Sequence, residues 1–268
     1  MVYVMNIIIN RNNFNQIYSV LRDGRSRLHK MPECVLSSYK PYITMENEFS
    51  CLQVIKKKAE NLDEDTMIMQ VKTSSDYTQN GRFTHSLMNG DPLTLSRGVR
   101  DFMLSGTGLF CVDLSGCEAR IAGELSGDAK LIEDYNENKL YSVEGMTREE
   151  AKVAVLSFLN GGKDEAGIHN RYPVVSRWRR KEIDSQDTLI HLYDGENIER
   201  SHSYRDISKI IQGNGAALLR IALRELDDAG IHNVIHLHDA IYVEKPYIEQ
   251  TVKALTKVVQ FKTSIKEM

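Results

Sequence analysis

Asp113 ends a short apolar run, Leu109-Phe110-Cys111-Val112, and is followed at once by a helical pattern in which Ile121, Ala122 and Leu125 share one face. Asp239 interrupts a second β-rich run, Val234 to Glu244, with a polar His238-Asp239-Ala240 step that reads as the turn of a β-hairpin. Two acids carried by separate strands can hold two divalent cations about 3.5–4 Å apart. Between them in the sequence stand Arg148 and Lys152, four apart and so on one helix face, in a helix opened by the capping box Thr147-Arg148-Glu149-Glu150. Free N–H groups and partial positive charge at that helix end, joined by two cations, suit a phosphate. Together these groups could perform phosphoryl-type transfer, with cations at the acids and an Arg/Lys clamp on the phosphates. Each piece also has a plainer reading: Asp113 could merely cap the next helix, and Arg148 and Lys152 could pair with the neighbouring glutamates.

The elements that must position these residues follow from local pattern. Leu109 to Val112 is a strand, and Asp128 can cap a helix after the Ser126-Gly127 break. The helix begun at Arg148 runs to Leu159 and stops at Asn160-Gly161-Gly162. Gln212-Gly213 opens a helix from about Ala216 to Asp228, with Leu218, Leu219, Ala222, Leu223 and Leu226 on its apolar face and Gly230 closing it. Pro246 suits the first turn of a last helix, through about Val259. Further upstream, Met1 to Ile9 reads as a strand, Pro32 to Pro41 as a loop, and about Glu48 to Leu62 as a helix whose Lys56-Lys57-Lys58 run could be a solvated face or, as the lesser alternative, a phosphate contact. Thr73 to Phe102 turns polar, and Gly81 allows a tight turn beside Arg82. Arg177-Trp178-Arg179-Arg180-Lys181 is the densest basic cluster; it could meet a nucleic-acid backbone and stack a base, or form an exposed helix turn anchored by its Trp. Asp184 to Tyr204 reads as loop or a small insertion.

At 268 residues, 41% apolar and 26% charged, the chain can bury a real core in one or two domains. A net charge of −3 gives no global signature of nucleic-acid binding, so any such activity must rest on local basic clusters. Cys34, Cys51, Cys111 and Cys117 show neither metal-ligand nor disulfide spacing, as expected of buried thiols in a reducing cytoplasm. The apolar start lacks a basic lead-in and a cleavage site, and no stretch approaches membrane-span length. A cytoplasmic protein is expected, in the host cytoplasm if viral.

Taken in order, these pieces resemble the polymerase domain of family A DNA polymerases, the class of bacterial DNA polymerase I and many phage replicases. Asp113-Leu114-Ser115-Gly116-Cys117-Glu118-Ala119-Arg120 is similar to the family's first motif, Asp-Tyr-Ser-Gln-Ile-Glu-Leu-Arg, and Leu125-Ser126-Gly127-Asp128 also matches family usage. Arg148 and Lys152 match the Arg-x-x-x-Lys of the second, and His238-Asp239 with Glu244 the His-Asp-Glu-x-x-x-Glu of the third. Asn80-Gly81-Arg82-Phe83 resembles a Thr-Gly-Arg-Leu loop, and Gln212-Gly213 a Gln-Gly-Thr helix start. The resemblance implies that Asp113 and Asp239 are the catalytic metal ligands, for two Mg²⁺ ions or Mn²⁺. It implies that Ser115 lies beside the triphosphate, that Glu118 crowds the sugar 2′ position, and that Arg148 and Lys152 bind the incoming phosphates. Arg82 and Gln212 would touch the duplex minor groove and His238 would lie near the primer terminus, with Arg177, Arg179 and Arg180 as further DNA contacts.

The chain departs from the family pattern at Ala240, Leu156, Asn160-Gly161 and Leu114, which leaves less flat surface to stack and check a nascent base pair. Only 38 residues lie between Asp113 and Lys152 and 86 between Lys152 and Asp239, so trimmed fingers are expected. The stretch before the Gly-Arg loop is expected to be too short for a full thumb, with no room for a proofreading exonuclease. The expected fold is α+β: an antiparallel palm sheet backed by helices, in 73–135 and 206–268, reduced fingers in 136–205, and a thumb-like or irregular region in 1–72. The implied function is primer extension on DNA with dNTPs, by a reduced phage-type enzyme. The alternatives are a single-subunit phage-type RNA polymerase, disfavoured by Glu118, and a non-catalytic or partner-dependent palm whose thumb or fingers come from a second chain.

Overall fold

The computed structural model describes residues 2–22, 32–36, 45–74, 89–164 and 166–268. The chain opens on strand β1 (Val2–Asn10), followed by helices α1 (Arg11–Arg22), α2 (Glu33–Leu36) and α3 (Met45–Lys58). Strands β2 (Glu60–Asn61) and β3 (Thr66–Ser74) complete a three-stranded antiparallel sheet in the order β1-β3-β2. Its register places Met5 opposite Val71, Ile7 opposite Met69 and Ile9 opposite Met67, and all six are buried on one face. Strict alternation thus commits this sheet to one core. The expected helix to Leu62 stops short at Lys58, because Asp63 accepts from the Asp65 and Thr66 N–H groups and turns the chain into β3. The lysine run is exposed, as its composition suggests.

Helix α4 (Arg97–Leu104) then leads into β4 (Leu109–Leu114), the strand around which the second sheet is built. Helices α5 (Cys117–Ser126), α6 (Ala129–Asn136), α7 (Arg148–Leu159), α8 (Ile168–Arg171) and α9 (Pro173–Ile183) follow. Asp128 caps α6 through the Leu131 N–H, and Thr147 and Glu150 form both halves of the capping box of α7. The stretch read as loop between Asp184 and Tyr204 contains a small hairpin, β5 (Leu189–His191) and β6 (Asn197–Glu199). Helix α10 (Arg205–Asp228) begins well upstream of its expected start. Buried Asp206, bonded to the Ser201 N–H and hydroxyl, fixes its first turn, and buried Ile207, Ile210 and Ile211 extend the apolar stripe backwards.

Strands β7 (Ile235–Leu237) and β8 (Ala240–Glu244) form the expected hairpin, and α11 (Ile248–Leu255) follows a 3₁₀ turn at Lys245–Tyr247. The chain returns as β9 (Thr263–Glu267), an edge strand beside β4. The second sheet runs β7-β8-β4-β9, entirely antiparallel. Its two faces serve two cores. Val112, Leu114, Ile241 and Val243 face the helical layer of α5, α7, α10 and α11, while Leu109, Leu237, Ala240, Tyr242 and Met268 join the core shared with the first sheet, α1, α3 and α4. The architecture is the expected one, an antiparallel sheet backed by helices.

Candidate active site

The strand pair β4/β8 brings the two sequence-distant aspartates together. Asp113 lies opposite Ala240 in the antiparallel register, and the Leu114 N–H donates to the Asp239 carbonyl at 3.1 Å. Asp239 sits in the two-residue turn between β7 and β8, so its strand neighbour is the end of β4 where Asp113 emerges. His238, the other turn residue, has φ 55°, the left-handed region that a non-glycine residue enters only when the surrounding structure demands it. Asp113 and Asp239 line one cavity of about 250 Å³, on the sheet face away from the helical layer. Burial pushes the Asp113 carboxyl above its ordinary value; the Ser264 hydroxyl, donating at 3.5 Å, and the charges of Arg97 and Lys152 act in the opposite sense without cancelling it. A desolvated carboxylate with so few donors of its own is one that a cation would stabilise.

A second cavity of about 250 Å³ lies across the His238-Asp239 turn, bounded by Glu118, Ile121, Gln212 and Gly215. Glu118 is reached from α5 because Gly116, at φ 63°, turns the chain sharply between β4 and that helix. A Cβ at Gly116 would meet the Tyr135 ring at 3.1 Å, so both conformation and space favour glycine there. The Glu118 carboxylate accepts a 2.7 Å hydrogen bond from Asn160 Nδ2, which also donates to the Leu156 carbonyl. Asn160, the residue that departs from the aromatic of the expected pattern, thus ties the end of α7 to the start of α5. From the sequence Asn160 reads as a helix stop and as a departure from the family pattern, with no hint of its contact with Glu118.

Arg148 and Lys152 are exposed on α7. Among the described residues neither forms an ion pair with a carboxylate, and Glu150 is held by Thr147, so pairing with the neighbouring glutamates is not their arrangement. The Arg148 guanidinium lies 5.9 Å from the centre of the Tyr141 ring, and Lys152 is near enough to Asp113 to act on its charge. The Ser115 N–H donates to the Lys262 carbonyl at 2.9 Å, fixing the turn that follows Asp113. Gln212 lies inside α10 rather than at its start.

The basic cluster on α9 lines neither of the two cavities at the aspartates. Arg177 and Arg180 are exposed, whereas Arg179 lies 4.3 Å over the Phe158 ring and donates to the Gly162 carbonyl. Arg82 lies outside the described residues. Arg97, Arg100, Asp101, Ser264 and Lys266, all at the Asp113 cavity, were not singled out from the sequence. Lys266 and Ser264 come from β9, whose only apolar interior residue, Ile265, is exposed, so no periodic signal announces the strand.

Among the described residues no three His, Cys, Asp or Glu side chains converge as a ligand set. Two carboxylates still fit a hard cation such as Mg²⁺, which keeps several waters and is commonly bound through one or two carboxylates together with substrate phosphates. No described helix is long and apolar enough to cross a membrane.

An α+β arrangement of this kind, with an acid-bearing antiparallel sheet on a helical layer, is similar to a polymerase domain. Among solved structures, it is similar to the POL domain of Pol1 from M. smegmatis in complex with DNA primer-template and dNTP, with a TM-score of 0.65 and 17% identity over 82% of this chain and 50% of that one. The chain therefore spans about half the length of that structure, and at this identity the likeness is one of fold. No family model and no curated protein matches the sequence.

Proposed function

We propose that this chain is a nucleotidyltransferase that extends a DNA primer with deoxynucleoside triphosphates on a DNA template. The observation that carries the proposal is the meeting of Asp113 and Asp239 at one cavity, with the Lys152 charge acting on Asp113. In this reading Asp113 and Asp239 hold two Mg²⁺ ions, or Mn²⁺. When bound, the ions supply activation of the primer 3′-hydroxyl and neutralisation of the leaving pyrophosphate. Arg148 and Lys152 grip the triphosphate from the exposed face of α7, and the Ser115 turn stays beside it. Glu118, held by Asn160, stands where a ribose 2′-hydroxyl would have to fit. Arg82 and Gln212 touch the duplex minor groove, His238 lies near the primer terminus, and Arg177 and Arg180 are outer contacts to DNA. Residues 73–135 and 206–268 then serve as the palm, 136–205 as reduced fingers and 1–72 as the supporting N-terminal region, in an enzyme of family A type.

Primer extension on a primed DNA template with Mg²⁺ tests this. Wild type should incorporate dNTPs, Asp113→Ala and Asp239→Ala should not, and Glu118→Gly should admit ribonucleotides that the wild type rejects. Equal incorporation by wild type and both aspartate variants would end the proposal, and efficient ribonucleotide use by wild type would turn it toward RNA synthesis. The net charge of −3 favours a second reading, in which another chain supplies grip on the duplex. Salt-tolerant synthesis by the purified chain alone would remove it.

A further inference from the structure

Three cations converge beside the aspartates on elements that the nucleotide-binding role leaves unused. Arg97 and Arg100 come from α4 and Lys266 from β9, and all three reach one carboxylate, Asp101: Arg97 Nε at 3.6 Å, Arg100 Nη2 at 3.4 Å and Lys266 Nζ at 3.3 Å. One acid shared among three bases at these separations leaves the group net positive. It is also open to solvent, since the Arg97 side chain is 77% exposed and that of Lys266 is 59% exposed. All four residues line the cavity that holds Asp113 and Asp239. The register fixes the spacing: on β9, Ser264 lies opposite Asp113 and Lys266 opposite Cys111, so Lys266 and Asp113 share a sheet face one pleat apart, about 7 Å. Arg97 is close enough to Asp113 to act on its charge. A merely structural ion cluster would not need its two most exposed cations beside a desolvated carboxylate.

The His238-Asp239 turn separates this cavity from the one bounded by Glu118 and Gln212. If the incoming triphosphate is held from the α7 side, the phosphates that approach from the α4/β9 side are those of the strand being extended. We propose that Arg97, Arg100 and Lys266, gathered by Asp101, form a phosphodiester-binding site that seats the backbone of the primer's last nucleotides against Asp113 and Asp239. The inference rests on the nucleotidyl-transfer reading and adds to it a site for the primer strand. Exposed Arg97 and Lys266 supply the contacts; Arg100, its side chain only 13% exposed, supports them from behind.

Binding of a labelled primer–template by the full chain, followed across a salt series, tests this. Lys266→Ala and Arg97→Ala should each weaken binding about fivefold and lower the slope of log K against log salt by about 1. Lys266→Arg should keep most of the wild-type affinity. The same duplex carrying uncharged methylphosphonate linkages at the last few positions of the primer 3′ end separates a local contact from a general field. Wild type should bind it more weakly, and each alanine variant, which has already given up one of the contacts, should lose less than wild type does on the same change. Unchanged affinity and slope in both alanine variants, or equal losses on the natural and the uncharged duplex, would overturn the inference while leaving catalysis by Asp113 and Asp239 standing. A wild type that neither binds the duplex nor incorporates nucleotides would sink the underlying reading as well.

Discussion

Asp113 is kept partly buried at a strand end, where its own neighbours do little for its charge. Burial raises its pKa, and the single hydroxyl of Ser264 with the charges of Arg97 and Lys152 does not reverse the shift. A carboxyl whose folded pKa stands above its unfolded value contributes stability while protonated, and loses that contribution as pH rises through the folded value. Without divalent cations, Asp113→Asn, which keeps the shape and cannot ionise, should therefore melt above wild type at pH 8. The gap should narrow toward pH 4. Adding Mg²⁺ at pH 8 should raise the wild-type melting temperature more than that of the variant, because the cation then meets the charge that the fold does not. Melting curves of the two proteins at both pH values check this; a gap that does not change with pH would mean that ionisation of Asp113 is not what sets it. An acid whose ionised form costs stability is the pattern expected of a functional group rather than a helix cap.

Among the elements, α7 decides how Glu118 and Lys152 stand relative to each other. Its C-terminal turn passes so close to the start of α10 that a Cβ at Gly161, where φ is 89°, would collide with the Tyr204 carbonyl oxygen. Gly161→Ala should cost about 2 kcal/mol or more, the left-handed strain plus the displacement of two backbones. Gly195, also left-handed at φ 83° but with open space around it, isolates the strain alone, so Gly195→Ala should cost only about 1 kcal/mol. Denaturant unfolding of the two variants compares them, and equal losses would remove the close approach of α7 and α10. The α7 boundaries were readable because capping box and Gly-Gly stop are local chemistry, and β4 and the β7/β8 hairpin because their apolar runs are bounded by polar breaks. β9 was not, since four of its five residues are exposed and it owes its place to pairing with β4. The early start of α10 escaped notice because Gln212-Gly213 looks like a helix opening, while the residues that extend the helix, Asp206 and Ile207, are defined by what they pack against. The aspartates and the Arg/Lys pair were legible as residue types; the contact of Asn160 with Glu118, and the gathering of Arg97 and Lys266 beside Asp113, belong to tertiary structure alone.

At the scale of the molecule, the acid-bearing sheet is a shared wall. Its helical side closes on α5, α7, α10 and α11, and its other side is sealed by the first sheet with α1, α3 and α4. A polar tie crosses the second contact as well, the His236 N–H pointing at the Met5 sulfur at 3.5 Å, and within the covering layer Asn13 of α1 donates to the Phe102 carbonyl of α4 at 2.8 Å. Leu237, Ala240 and Tyr242, on either side of the turn that carries Asp239, are buried only because that layer covers them. The N-terminal layer is therefore part of the platform beneath the aspartates, and the two cores should melt together. Ile7, fully buried on β1 opposite Met69, is far from Asp113 in sequence and touches no proposed substrate position. Ile7→Ala should lower one common transition, by the roughly 2–5 kcal/mol expected for such a cavity, and should reduce nucleotide incorporation at temperatures where wild type is fully folded. Calorimetry reads the first effect and primer extension the second. A profile that splits, with an early transition for the N-terminal layer and a second at the wild-type temperature with incorporation intact, would show that the layer is an independent unit rather than the floor of the site.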